Sequence, residues 1–397
     1  VSKWDIVKLG DVCTINPTKK ATLNLYESLD EVSFVPMSDV SEDGRIFTGN
    51  KVRYSEVSSG YSYFIEDDIL FAKITPCMEN GKGAIARGLI NGLGAGSTEF
   101  HILRPKQNLV ISEWIYRFLS YSKFRKSAEK NMTGSAGQKR VPKAFLENVL
   151  IPLPPLETQK QIAKILDTAA ELLAMRKQQL AELDNLTKSV FYEMFGDPVV
   201  NEKGWDVKTL NDISILITKG SSPTWQGINY TEDTSQVLFV TSENVREGYL
   251  DFSKRKYVEN RFNEIQKRSI LEYGDILINI VGASIGRAAV FYSNEKANIN
   301  QAVALVRCHK DVCLPYLCYY FNSPKAIQMY GEMQVDVARA NLSLKNIGEL
   351  AVIYPPIEFQ SQFATIVTKI EEQKSLVKKA IDETQYLFDS LMAQYFD

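Results

Sequence analysis

Two copies of one plan make up this chain. Trp4-Asp5-Ile6-Val7-Lys8-Leu9 returns as Trp205-Asp206-Val207-Lys208-Thr209-Leu210, and Phe195-Gly196-Asp197 matches Phe396-Asp397. Leu153-Pro154-Pro155-Leu156-Glu157-Thr158-Gln159 returns as Tyr354-Pro355-Pro356-Ile357-Glu358-Phe359-Gln360, and all three matches sit 201 residues apart. A period that long marks a duplicated domain pair and not a solenoid, whose units run to about 20–50 residues. Asp68-Ile69-Leu70 against Asp275-Ile276-Leu277 is offset by 207. Small insertions therefore collect in the globular loops and cancel before the next shared motif, as expected if the loops hold the differences that matter.

Residues 1–155 alternate short β-rich runs with turns: Phe34–Met37, Ile69–Ala72, Ala84–Ala86 and Phe100–Leu103 read as strands. A helix from about Ser112 to Lys126 follows, with Trp114, Ile115, Phe118 and Leu119 on one face. The second copy keeps this order through Phe239–Thr241, Asp275–Ile278, Arg287–Val290 and Ala302–Leu305, with a helix opening near Pro315. Pro154-Pro155 cannot sit inside a helix, and from Glu157 to Phe195 there is neither proline nor glycine. Ile162, Ile165/Leu166, Ala169, Leu172/Leu173, Leu180, Leu183, Leu186, Val190 and Met194 form one near-heptad stripe. Phe363, Ile366/Val367, Ile370, Val377, Ala380, Leu387, Leu391 and Tyr395 repeat it. Such a helix spans roughly 57 Å, and a stripe that long cannot stay exposed. An antiparallel pair between the two helices is the economical arrangement; homodimerisation is the other use. The expected class is α+β: two duplicated mixed α/β domains, 1–155 and 200–354, separated by a pair of long antiparallel coiled-coil helices in 156–199 and 355–397.

A chain of 397 residues, 45% hydrophobic and 24% charged, fits a folded soluble protein with at least two cores. No apolar run reaches the roughly 18 residues of a membrane span. The opening Val1-Ser2-Lys3-Trp4-Asp5 lacks a signal peptide's apolar region, so a cytoplasmic protein is expected. Cys13, Cys77, Cys308, Cys313 and Cys318 show no metal-ligand spacing, which favours ordinary thiols over a site built on Cys308, His309 and Cys313. No catalytic constellation emerges. Gly81-Lys82-Gly83 lacks the spacing of a phosphate loop, and Gly282-Ala283-Ser284-Ile285-Gly286 lacks the first glycine pair of a dinucleotide loop. Neither Asn16-Pro17-Thr18-Lys19 nor Tyr354-Pro355-Pro356-Ile357 completes the Asn/Asp-Pro-Pro-aromatic motif of an adenine methyltransferase. With no cofactor or metal site in prospect, the pattern points to a binding protein that positions chemistry carried by another chain. Net charge of −2 does not advertise nucleic acid, but its distribution does. Arg117, Lys123, Arg125, Lys126, Lys130, Lys139, Arg140 and Lys143 stand against one acid, Glu129; Lys254, Arg255, Lys256, Arg261, Lys267 and Arg268 stand against Glu259 and Glu264. A solvated charged face is the competing reading of either stretch.

The arrangement resembles the specificity subunits of type I restriction-modification enzymes. The resemblance rests on Trp4 to Val12, Asp68 through Thr75 with Pro76-Cys77-Met78-Glu79-Asn80-Gly81-Lys82, Pro154 to Gln159, and Phe195-Gly196-Asp197, in that order and largely duplicated. It implies two target recognition domains reading the halves of an interrupted double-stranded DNA sequence, with the helices fixing the gap. It further implies two modification subunits that carry S-adenosylmethionine and methylate adenines. Restriction subunits would use ATP and Mg to translocate and cleave DNA, and this chain would hold none of these cofactors. Gly134-Ser135-Ala136-Gly137-Gln138-Lys139-Arg140 corresponds to a loop at the DNA face, with Val337-Ala338-Arg339-Ala340-Asn341 as its partner in the second copy. Ser135, Gln138, Lys139, Arg140, Arg339 and Asn341 are therefore DNA-contact candidates, Gln and Asn suiting adenine and Arg guanine, while Lys126 suits phosphate. Lys73 and Thr75, with Asn279 and Ser284, are further candidates at strand ends. The second copy departs at Asn279-Ile280-Val281-Gly282, where the first has Ala72-Lys73-Ile74-Thr75. Arg176, Lys177, Gln178 and Lys188 flank the helical stripe and would face a modification subunit. A non-catalytic protein-binding scaffold, two domains on a coiled-coil spacer, is the alternative.

Overall fold

A computed structural model describes residues 4–23, 30–135, 137–198, 200–333 and 341–397, with Lys325 described by its backbone alone. Two units divide the chain, residues 1–178 with 377–397 and residues 179–376.

In the first unit the strands are β1 (Asp5–Lys8), β2 (Cys13–Ile15), β3 (Glu31–Val35), β4 (Lys51–Arg53), β5 (Ser62–Ile65), β6 (Ile69–Ala72), β7 (Gly83–Ile85), β8 (Leu93–Gly96), β9 (Phe100–Pro105) and β10 (Leu150–Leu153). They form two four-stranded sheets, ordered β2-β9-β6-β7 and β4-β3-β8-β5, and a β1-β10 pair. The helices are α1 (Leu9–Val12), α2 (Lys19–Leu23), α3 (Ser112–Ser120), α4 (Ser122–Lys130), α5 (Lys143–Asn148) and the start of α6 (Leu156–Phe195).

The second unit repeats this with β11 (Val207–Thr209), β12 (Ser214–Lys219), β13 (Tyr230–Thr231), β14 (Val237–Val240), β15 (Tyr257–Val258), β16 (Ile276–Asn279), β17 (Ala288–Val290), β18 (Ala297–Ile299), β19 (Val303–Cys308) and β20 (Ala351–Ile353). Its sheets run β12-β19-β16-β17 and β13-β15-β14-β18, with β11 paired to β20. Its helices are α7 (Arg261–Ile265), α8 (Leu314–Phe321), α9 (Pro324–Glu332), α10 (Leu344–Gly348) and α11 (Ile357–Phe396). Among the described residues no helix is long and apolar enough to cross a membrane.

The repeated motifs have repeated physical jobs. Gln159 and Gln360 are fully buried, and each folds its amide back onto the first carbonyl of the preceding Pro-Pro: Nε2 donates to Pro154 O at 2.8 Å and to Pro355 O at 2.7 Å. Asp68 and Asp275 are buried just before β6 and β16, and each binds an arginine from the neighbouring strand through two parallel bonds. Arg104 Nε and Nη2 reach the Asp68 carboxylate at 2.8 and 2.7 Å, and Arg307 reaches Asp275 at 2.8 and 2.8 Å.

The long helices pair antiparallel in both units. Ile162 and Leu166 near the start of α6 share the first core with Met392 and Phe396 at the end of α11. Phe191 and Phe195 at the end of α6 share the second core with Phe363 near the start of α11. The stripe is narrower than the sequence pattern: Leu166 is buried, while Ile165, Leu172, Leu186 and Leu387 are exposed. Arg176 is not a free flank. Its guanidinium donates to Ala380 O and Thr384 Oγ1 on the opposing helix.

The helix expected from Ser112 to Lys126 is two helices, broken at Tyr121, whose backbone is extended (φ −65°, ψ 130°). Arg125 supplies the reason. It is buried, lies 4.7 Å from the Phe71 ring centroid, and donates to the carbonyls of Leu119, Met78 and Gly81. Satisfying the donors of a buried guanidinium outweighs the propensity of a continuous helix.

Replacing Arg104 with Met leaves Asp68 buried and unpaired, with an expected loss of about 3–5 kcal/mol. Arg307→Met should cost the second unit as much, and the double change Asp68→Leu with Arg104→Met should cost much less. Urea unfolding measures all three, and equal losses for the single and double changes would contradict the pairing.

Candidate nucleic-acid interface

In the first unit β6 ends where β9 begins, and the chain beyond this edge is held by backbone bonds. Lys73 N donates to Glu99 O at 2.9 Å, Val141 N to Lys73 O at 2.9 Å, and Thr75 N to Lys139 O at 3.0 Å. Thr133 and Arg140 exchange two bonds, closing a hairpin whose Gly134 and Gly137 both have positive φ. A Cβ on Gly134 would lie 2.8 Å from Gln138 O, so the turn requires glycine there. Ser135, Gln138 and Lys139 are exposed on this hairpin; Lys73 and Thr75 are half-buried beside it. Lys73 also lines a cavity of about 460 Å³ together with Asn16, Lys19, Tyr61, Thr98 and Phe100.

Arg140 has a different part. Its Nε and Nη2 bind both oxygens of Glu99 at 2.9 Å, and Nη1 donates to Gln138 O at 3.1 Å. Arg140 thus positions the hairpin while its side chain stays partly exposed. The guanidinium holds the Glu99 carboxyl below its usual range. Beneath the pair, buried His101 sets Nε2 2.8 Å from Val141 O and Nδ1 2.9 Å from the Asn16 amide, and burial pushes its imidazole below the usual value. Glu99 lies just before β9, His101 at its start and Asn16 just after β2; they escaped sequence reasoning because their partners, Arg140 for Glu99 and Val141 and Asn16 for His101, lie far away in the chain. The repeated Asp-Ile-Leu was the available signal for the ion pairs at this sheet.

The second unit builds the same edge. Ile280 N donates to Ala302 O at 3.0 Å, Leu342 N to Ile280 O at 2.9 Å, and Val281 bridges Asn341 as Ile74 bridges Arg140. The sequence pairing of the two loops therefore holds for Asn341, which is exposed; Arg339 lies outside the described residues. Asn279 is not a surface group. It is fully buried, and its amide donates to Ser242 O at 3.0 Å and to Ser284 Oγ at 3.1 Å, tying two turns together. Ser284 is half-buried and accepts that bond.

Much of the basic character is spent internally. Of the eight cations from Arg117 to Lys143, five have partners: Arg117 with Asp167, Lys123 with Asp397, Arg125 with carbonyls, Arg140 with Glu99, and Lys143 with Glu147. Lys126, Lys130 and Lys139 are exposed, with no ion pair among the described residues. In the second stretch Arg255 pairs with Glu295 and Lys256 with Glu243.

A model of the type I restriction modification DNA specificity domain matches residues 1–185 and again 202–385. The chain belongs to the type I restriction-modification DNA specificity family. The type I restriction enzyme EcoAI specificity subunit of Escherichia coli is 40% identical over 163 residues, covering 40% of this chain and 26% of that protein. The EcoEI specificity subunit of the same species is 39% identical over 187 residues, covering 46% and 30%. The aligned part thus spans under a third of either relative's length. The S subunit of the type I restriction-modification system from M. genitalium matches with a TM-score of 0.59 at 14% identity, over 100% of this chain and 96% of that one, a likeness of fold alone. The duplicated specificity-domain match follows the same repeat as the duplicated Asp–Arg pairs and Pro-Pro-Gln turns.

Glu99 and His101 both have folded values below their ordinary ones. Each contributes stability that is present above its ordinary value and lost as pH falls through the folded value. Hydrogen-exchange protection of the Thr75 and Val141 amides should therefore decline as pH falls below the ordinary 6.5 of His101, with the Glu99 part lost only below its ordinary 4.5. The Leu342 amide is the internal control, since Ala302 and Ala304 stand at the matching positions. Equal pH dependence in the two units would contradict the assignment.

Proposed function

We propose that this chain is the non-catalytic DNA-recognition subunit of a type I restriction-modification complex and reads a bipartite duplex target. Residues 1–155 read one half-site and residues 200–354 the other. Ser135, Gln138 and Lys139 with Lys73 and Thr75 serve the first, and Asn341 and Ser284 serve the second, with Arg339 in the adjoining segment. Arg140 and Asn279 act by positioning these groups. One observation carries the reading: the same backbone bonds build the same sheet edge twice, and the exposed side chains on it differ. That is what two reading heads on one scaffold require, and a plain protein-binding scaffold gives no reason for it.

Modification subunits, two of them, bind S-adenosylmethionine and dock on the helices; restriction subunits supply ATP-driven translocation and cleavage. Exposed apolar side chains on the helices support a docking role: Ile165, Leu172, Met175 and Leu387 in the first unit, Leu186 and Leu376 in the second.

Mapping methylated adenines in cells that express the modification subunit with and without this chain tests the reading. An interrupted motif that appears only with the chain is expected; methylation indifferent to the chain would refute it. In binding to target and scrambled duplexes, Gln138→Ala should relax one half-site only, by roughly 1–3 kcal/mol for a bidentate adenine contact. Lys126→Ala should weaken both duplexes alike and lower the salt slope. Equal losses on both duplexes for Gln138→Ala would make it a backbone contact.

A further inference from the structure

Hydrogen bonds align the two reading edges residue by residue. Lys73 N–Glu99 O is matched by Ile280 N–Ala302 O, and Val141 N–Lys73 O by Leu342 N–Ile280 O. Phe71 faces His101 across the sheet as Ile278 faces Ala304. Where the first unit has Lys73, Glu99, His101 and Arg140, the second has Ile280, Ala302, Ala304 and Asn341. Every ionisable member of the first constellation is replaced by a neutral one on an unchanged backbone.

Among the described residues, the groups at the surface of the second edge are correspondingly simple. Val281 is 41% exposed although β-branched and apolar, Ala283 and Asn341 are exposed, and Val281 and Asn341 sit opposite each other in the bridge. A nearby exposed cation, Lys219, ends β12, the strand next to β19. An apolar side chain beside a carboxamide matches one base-pair edge in particular. In the major groove thymine presents a methyl group and adenine presents a donor–acceptor pair that Asn engages with two bonds.

We propose that the second unit reads A·T pairs, with Asn341 on adenine and Val281 and Ala283 packed on thymine methyls, while the first unit reads through polar and charged groups. This rests on the DNA-reading role proposed above and assigns the chemistry of one half of it. Among the described residues, the second edge offers an apolar side chain and a carboxamide where the first offers a guanidinium–carboxylate pair.

The test uses the full chain and duplexes selected by it from a randomised library. The half-site belonging to the second unit is the one whose selection relaxes in Asn341→Ala. Replacing thymidine by deoxyuridine in that half should weaken binding about fourfold per contacted methyl, the weight of one buried carbon, and should change nothing in the other half. Val281→Ser together with Ala283→Ser, both exposed substitutions, should abolish the distinction between thymidine and deoxyuridine while leaving selection of the other half intact. A second half-site without A·T pairs, equal affinity for the two nucleosides there, or a distinction that survives Val281→Ser and Ala283→Ser would each overturn the assignment. Selection of no sequence by the unaltered chain would overturn the DNA-reading role itself.

Discussion

Neither core closes without a helix end that arrives from the other half of the sequence. Phe396, at the end of α11, packs 4.6 Å from the ring of Trp114, and Phe195, at the end of α6, packs 4.9 Å from the ring of Tyr316. Those two aromatics are fully buried and donate to equivalent carbonyls, Trp114 to Pro152 and Tyr316 to Ile353, each at 2.9 Å. Truncating a buried Phe costs about 3–5 kcal/mol, a large part of the stability of an ordinary domain. The repeated Phe-Gly-Asp and Phe-Asp are therefore packing motifs, and the antiparallel return of the helices is what delivers them. The fully buried Gln159 and Gln360 settle where each helix starts.

On that frame, constant and variable positions separate cleanly. Asp68–Arg104 and Asp275–Arg307 have the same geometry to within 0.1 Å in their paired bonds. A few residues along the same strands, Lys73 becomes Ile280 and Glu99 becomes Ala302 with the backbone bonds intact. A buried ion pair tolerates the loss of neither partner, whereas an edge held by main-chain bonds accepts many side chains. Recognition can thus change without touching what holds the sheet. Asn279 marks the boundary, because it looks like a contact residue yet uses its amide donors inside the protein, while Arg140 pairs with Glu99 at the surface.

The duplication, the Pro-Pro boundaries and the two long helices were legible because they are periodic or repeated. Strand positions were legible to within a few residues for the same reason. What was not legible depends on pairs distant in sequence. The break at Tyr121 follows from Arg125 reaching Met78 and Gly81. The engagement of Arg140 follows from Glu99, 41 residues away, and that of Arg176 from Thr384 on the opposing helix. Each is a polar residue that looks solvent-facing in its own segment and finds a partner from another. Asn279 is the sharpest case: a polar residue at a strand end reads as surface, but its strand is buried on both faces.

The most direct test is to replace residues 13–141 by residues 214–342, so that one chain carries the second reading unit twice between unchanged helices. Sequencing the duplexes bound by this chimaera should return an interrupted motif with the same bases in both halves and the original gap. A motif unchanged from the parent, or a changed gap, would contradict the proposal that the helices set the gap and the sheet edges the bases read.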